Sequence, residues 1–358
     1  MKRLAALLAM PLFVGNIAPA VANEKATEII EGSISSFVRP AYAALHERAE
    51  ALAEAVKKLC VMPSRDNLQS AQDSFRAATD AWSYAEIIRF GPITEQNRLE
   101  RMLFWPDRKG IGLKQVQATL AAKDTTAADP AQLPAKSVAM QGLGALEFVL
   151  FGTGADALYQ TGDLYRCQYG VAVAGNIATI AGDVDAAWAG DDGFAGQWAD
   201  PGPGNPLYKT GTESVTELLE VFVNGLELVR DVRVGGFLGE QAAGDKPKQA
   251  IYWRSDGTAR SLAANIAGMK ALFEASGLGD QLSPDTHWIA ESIKFEFGNA
   301  IAAANAADGP IAATLADGKK RAKLSYFNVV TSSLSELFGS RLSAEFGLTA
   351  GFSSLDGD

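Results

Sequence analysis

Apolar residues recur at steps of three and four along almost the whole chain, and no other feature restricts its fold as much. Tyr42, Leu45, Leu52, Val56 and Leu59 form one such series, and Leu68, Ala71, Phe75, Ala78, Trp82 and Ala85 form the next. An α-helix of 3.6 residues per turn places these side chains on one face, whereas a half-buried strand needs strict alternation. Hardly any segment alternates, and the β-branched runs are short. The chain is therefore expected to be all-α. Met62-Pro63-Ser64 parts the first two helices, and further series lie at Leu113 to Ala122, Leu164 to Trp188, Val215 to Val229, Leu262 to Phe273 and Leu324 to Leu337.

The boundaries carry their own signals. Gly91-Pro92 and Trp105-Pro106 frame a short helix expected from Thr94 to Phe104. Pro134 suits the first turn of a helix reaching Phe151, with Gly152 as its stop. Thr210 and Glu213 have the spacing of a capping box. Gly277-Leu278-Gly279 should end a helix, and Ser283-Pro284 should open another. Between Asp191 and Gly211 the run DDGFAGQWADPGPGNPLYKTG is too rich in Gly, Pro and Asp to sustain a helix. A domain boundary is placed there: an N-terminal bundle over 23–190, a linker over 191–210, and a C-terminal bundle over 211–358. At about 150 residues per domain, 358 residues agree with two tandem helical bundles, each with about four long helices and with a cleft between them.

The first 22 residues are set apart. Lys2 and Arg3, the apolar stretch Leu4 to Val14, and Ala20-Val21-Ala22 have the three parts of a secretory signal peptide, so an exported protein is expected. The longest later apolar run, Val171 to Ile180, is interrupted by Asn176 and is too short to span a bilayer. In an oxidising compartment the two cysteines, Cys60 and Cys167, would form one disulfide; two buried thiols are the alternative. A formal net charge of −10 has the wrong sign for tracking a phosphate backbone, so nucleic acid is not expected as a partner.

Histidine is scarce. Only His46 and His287 are present, so there is no HExxH pair for zinc, and His46-Glu47 is followed by Glu50 where the second histidine would stand. His287 and Glu291 could share a helix face as metal ligands or as an ordinary exposed pair. No GxSxG is present. Gly142-x-Gly144 has Glu147 in place of the third glycine of a dinucleotide loop. Asp183, Asp185, Asp191 and Asp192 do not have the spacing of a calcium loop and read as solvated helix-end residues. Glu147 stands out unaided. In Leu143-Gly144-Ala145-Leu146-Glu147-Phe148-Val149-Leu150-Phe151 almost any helix face is apolar, so a carboxylate there must be paired with a neighbouring Arg, metal-bound or protonated.

Several runs together resemble the imelysin-like proteins. They are Phe90-Gly91-Pro92, Arg101 with Phe104-Trp105-Pro106-Asp107, Gly142 through Gly152, Arg254-Ser255 ahead of a helix, and the ending Gly351 through Asp358. Cys60 and Cys167 also fall where that family places a Cys pair. The resemblance implies a periplasmic or cell-envelope helical protein with a site between two bundle-like halves, and it implies both a metallopeptidase label and a part in iron uptake. The family signature G-x-H-x-x-E maps its first Gly to Gly142 and its Glu to Glu147, but its His falls on Gly144. A His and a Glu three apart on a helix could hold a metal together, and glycine supplies no ligand. The leading expectation is an exported binding protein active in iron acquisition, with no catalytic residue assigned. Glu147, as ligand contact or metal ligand, would act with Arg254 and Ser255, and Arg101 and Asp107 are further candidates. The ligand would be an iron or other metal ion, or a small anion, and the partner a cell-envelope transport component. A metallopeptidase and a non-catalytic paralogue serving as an interaction module are the alternatives.

Overall fold

The computed structural model describes residues 23–160 and 163–348, and every regular element within them is helical. The all-α expectation holds: no strand occurs among the described residues. The leader at 1–22 and the run 351–358 lie outside them.

Helix α1 (Asn23–Ser33) passes through a π-helical segment, Ile34–Val38, into α2 (Arg39–Val61). After the Met62-Pro63-Ser64 break comes α3 (Arg65–Ala85), started by the Ser64 hydroxyl, which accepts from the N–H of Asn67 at 3.1 Å. The short helices α4 (Arg98–Met102), α5 (Ile111–Ala122), α6 (Leu143–Phe151) and α7 (Ala157–Gln160) lead to the long α8 (Leu164–Ala189) and the brief α9 (Phe194–Ala199). The capping box then forms with its return bond one residue earlier than the spacing implies. The Thr210 hydroxyl accepts from Glu213 N–H at 3.3 Å, the Glu213 carboxylate reaches back to Lys209 N–H at 2.5 Å, and α10 (Gly211–Glu227) follows. A π-helical segment, Leu228–Val234, joins α10 to α11 (Gly235–Phe237). The remaining helices are α12 (Thr258–Ser276), α13 (Trp288–Ala306), α14 (Ile311–Ala316), α15 (Gly318–Glu336) and α16 (Ser343–Glu345). Gly277 ends α12 in the left-handed conformation, φ +63°, as a glycine C-cap does.

In the first half α2 lies between α3 and α8, and Cys60 is bonded to Cys167 with their Cα atoms 5.5 Å apart, joining α2 to α8. In the second half α10, α12, α13 and α15 pack on one another. The halves also touch directly: α1 lies on α10 and α12, and α3 lies on α12. A Cβ at Gly268 would collide with the carbonyl oxygen of Tyr84, so the α3–α12 contact is close enough to need glycine. Buried apolar side chains from both halves form one contiguous cluster.

A fully buried ion pair crosses the same contact. Glu86 and Arg233, each 1% exposed, meet at 2.5 Å. Asn265 Nδ2 donates to Glu86 at 2.9 Å, Arg233 donates to Ser261 Oγ at 3.1 Å and to Asn265 Oδ1, and Ser261 meets Ser83 at 2.7 Å. Isolated charges could not remain ionised there, and the network is what makes their burial tolerable.

Four sequence expectations about boundaries are corrected. The helix expected over Thr94 to Phe104 is a 3₁₀ segment, Gly91–Asn97, followed by α4, because Gln96 and Asn97 sit at φ +54° and +55° and break the run. The helix expected to run from Pro134 to Phe151 starts only at Leu143, after two 3₁₀ turns, since Gly142 takes φ +86°. Ser283-Pro284 opens turns rather than the helix itself, and α13 begins at Trp288. The stretch 191–211 does sustain a helix, α9. Phe194 and Trp198 pack there against Phe90 and Trp188 with ring centroids 4.9 to 6.2 Å apart. No helix among the described residues is long and apolar enough to cross a membrane.

Candidate functional site

The site begins with α6. Seven of its side chains are buried, which fixes its position, and Gly144 is left exposed. Its start is fixed as well: a Cβ at Gly142 would clash with the carbonyl oxygens of Arg101 and Met102 at the end of α4. Glu147, 4% exposed, is thereby held inside the protein. Its partners come from the loop before α12. Glu147 Oε1 accepts from Ser255 N–H at 3.1 Å and from Ser255 Oγ at 2.8 Å, and Oε2 lies 3.8 Å from an Arg254 guanidinium nitrogen. Burial pushes the Glu147 carboxyl above the usual carboxylate range, while the Ser255 hydroxyl, the Arg254 charge and backbone N–H groups pull it back.

That loop is wound tightly. Tyr252 and Asp256 have φ of +51° and +58°, a costly conformation for a bulky buried tyrosine. Gly257 N–H donates to Tyr252 O at 3.0 Å, and Thr258 Oγ1 donates to Ile251 O at 2.6 Å. These bonds hold a strained turn whose residues 253 to 255 face α6.

A cavity of about 310 Å³ opens between α6, the 103–116 segment and this loop. Phe104, Trp105, Gly144 and Phe148 line it from the first half, and Lys248, Trp253 and Arg254 from the second. Such a volume is at the low end of small-molecule sites, about 300 to 1,000 Å³. The Arg254 guanidinium is stacked on the Trp253 ring at 4.3 Å and lies 5.5 Å from the Phe148 ring. Its side chain is 18% exposed, and none of its side-chain N–H groups donates a hydrogen bond among the described residues. Burial lowers its pKa while Glu147 and Asp107 oppose that shift, and a guanidinium stays charged under either influence.

Glu147, Arg254 and Ser255 are thus brought together. Asp107 reaches the cavity wall, but its oxygens accept from Ile111 N–H at 2.6 Å and Leu113 N–H at 3.1 Å, so it caps the start of α5. Arg101 is not on the cavity. It lies behind Gln141, donating to Gln141 Oε1 at 3.1 Å and to Asn176 Oδ1 at 2.9 Å. Trp253 and Lys248 were not singled out in the sequence. Trp253 had a signal in its adjacency to Arg254, whereas Lys248 in an irregular stretch had none.

Residues 38–337 match the family model described as Imelysin, a peptidase family by its label. The chain belongs to the imelysin family. Iron-regulated protein A of Synechococcus elongatus is 25% identical over 301 residues, 81% of this chain and 78% of its own length. The crystal structure of an imelysin-like protein from Psychrobacter arcticum aligns with a TM-score of 0.75 at 19% identity, covering 94% of this chain and 100% of that one. A structure described as an iron-regulated protein A precursor from Parabacteroides distasonis aligns at 0.73 with 15% identity, covering 92% and 97%. At those identities the two structures establish a common fold.

The donor set of this imelysin-family chain does not suit a metal ion. Gly144 replaces the motif histidine, Glu147 Oε1 is already occupied by two donors, and Oε2 faces a guanidinium that would repel a cation. No group of three His, Cys, Asp or Glu among the described residues is arranged to hold one. The histidines lie elsewhere: His46 bonds Asp185 at 3.1 Å through one ring nitrogen and faces Glu50 through the other, and His287 is a half-exposed neighbour of Glu291.

Proposed function

We propose that this protein is an exported imelysin-family binding protein that holds a small anionic ligand on Arg254, in a cleft between one bundle over 23–190 and another over 211–348, with 191–210 joining them. The observation that carries this reading is the guanidinium itself. A largely buried cation with unused donors, stacked on Trp253 and facing a cavity, leaves its hydrogen-bonding capacity for an incoming group. The first turn of α6, which has no side-chain cap and contributes Gly144 and Ala145 to the wall, adds partial positive charge. Glu147 and Ser255 act as the brace that sets the loop carrying Arg254.

Relatives named for iron regulation support an iron-related role, which this reading takes as iron acquisition; the partner it adds is a cell-envelope transport component. Iron would enter such a site as an anionic complex, since the donor set opposes a bare cation. The same set disfavours a metallopeptidase. Elemental analysis of the purified protein, with calorimetric titration by acetate, phosphate and ferric ion, tests the reading. Anion binding should weaken by about 10- to 150-fold in Arg254→Gln, the loss expected for charge-assisted hydrogen bonds. Tight ferric binding that ignores Arg254→Gln but vanishes in Glu147→Ala would replace this reading with a metal site. Binding of none of the three would favour an interaction module.

A further inference from the structure

Two glycines two residues apart at the start of α6, Gly142 just before it and Gly144 within it, are there for opposite reasons. Gly142 is imposed by the fold: its φ is +86°, and a Cβ would collide with the carbonyls of Arg101 and Met102. Gly144 has neither constraint. It is an ordinary helical residue, and a Cβ built on it meets nothing within 4 Å. Glycine is the poorest helix former after proline, so packing and propensity both would favour a side chain there. What a side chain would enter is the cavity, because Gly144 forms part of its wall.

The rest of the wall says what that space suits. Phe104, Trp105, Leu113, Val116 and Phe148 present mainly apolar surface, and Arg254 lies closest over the rings, 4.3 Å from that of Trp253, with Lys248 over the same ring at 5.9 Å. A bare inorganic anion on Arg254 would leave water held against these aromatic and aliphatic side chains. An occupant with an apolar body removes that surface from water. Charge limits the headgroup as well. Glu147 lies 3.8 Å from Arg254, and Asp107 is near enough to act on it electrostatically. Across the whole lining three cations, Arg108, Lys248 and Arg254, face two carboxylates, Asp107 and Glu147, and the one positive charge left over is matched by a singly charged headgroup better than by a doubly charged phosphate.

Building on the proposed anion site, we infer that its ligand is a small organic monocarboxylate with a ring-sized apolar body, and that Gly144 is the residue that sets the size of that body. The carboxylate pairs with the Arg254 guanidinium, and the body lies over Gly144 in the space a side chain would fill.

Benzoate, acetate and phosphate are the probes, titrated into the purified full chain by calorimetry and by the fluorescence of its tryptophans, two of which line the cavity. Benzoate should bind at least tenfold more tightly than acetate. Gly144→Leu should bring that ratio close to one and Gly144→Ala should lower it part-way, with melting temperatures at or above the parent's. Equal affinity for benzoate and acetate in the parent overturns the inference without needing any variant, and so does a ratio unchanged in a folded Gly144→Leu. In both cases, acetate or phosphate binding that still depends on Arg254 leaves the anion site standing. Failure of all three probes to bind the parent overturns the site and the inference together.

Discussion

Removing the disulfide, by Cys60→Ala together with Cys167→Ala, tests how much of the stability of this fold comes from a single covalent link. The bond joins residues 107 apart in sequence. In the chain-entropy picture a cross-link closing a loop of that length lowers the entropy of the unfolded chain by an amount worth about 4.8 kcal/mol at 25 °C. The native state should change little. Helices α2 and α8 already pack along their lengths, and Cys167 sits in an apolar setting that alanine can occupy. Guanidinium unfolding followed by helical circular dichroism should therefore show the double variant less stable by about 3 to 5 kcal/mol, with a larger m-value because its unfolded chain exposes more surface. A loss below about 1 kcal/mol with an unchanged m-value would refute the loop-closure reasoning. Net stabilities are about 5 to 15 kcal/mol, so a loss of the expected size takes a large share of the total. That dependence agrees with the proposed export to an oxidising compartment.

Two further perturbations probe the buried charges. Arg233→Met leaves Glu86 buried without its cation and should cost about 3 to 5 kcal/mol in urea unfolding, whereas Glu86→Gln with Arg233→Met should cost clearly less than the two single losses added together; strict additivity would show that the pair is not coupled. For Glu147 the folded-state pKa is raised by burial, so the native state keeps a proton that the unfolded chain has already released. Stability should then fall as pH rises from the ordinary carboxylate value through the raised one, and be level below that window. Glu147→Gln, which keeps an acceptor for Ser255, should flatten this slope in melting temperature measured from about pH 4 to pH 8, and an identical slope in both proteins would remove Glu147 as its source.

The long helices were legible because their apolar faces repeat over many turns, as Leu68 to Ala85 do in α3. Short elements were not, and the reasons are local. Gln96 and Asn97 leave the helical region although neither is a glycine or a proline. Nothing in the run from Pro134 announces that Gly142 will be pinned under the carbonyls of α4. Residues 191–211 looked like a linker by composition, yet the rings of Phe194 and Trp198 found Phe90 and Trp188, a tertiary contact that overrides propensity. Within the site, Glu147 was conspicuous because a carboxylate in an apolar helix must have a partner. Periodicity tells which face of a helix is buried but not what covers it, and Ser255 lies 108 residues away. Only the family resemblance pointed to Arg254 and Ser255. It also pointed to Arg101, which stands behind Gln141 rather than on the cavity.

The loss of the motif histidine and the retention of the glutamate make physical sense together. If Glu147 served only as a metal ligand, replacing its companion with Gly144 would leave a buried carboxylate with a desolvation cost and no purpose. The structure gives it one that needs no metal. Glu147 takes both donors of Ser255 and sits beside Arg254, and so anchors a turn strained at Tyr252 to the most deeply buried helix of the first half. The anchor also sets the local charge. Across the cavity lining Arg108, Lys248 and Arg254 stand against Asp107 and Glu147, and the positive charge left over is the one that the proposed ligand would meet. A histidine at position 144 would take up space beside that charge and offer a metal donor. A glycine there offers volume, and volume next to a guanidinium whose N–H groups donate no hydrogen bond among the described residues is what would separate the proposed anion site from a metal site built on the same helix.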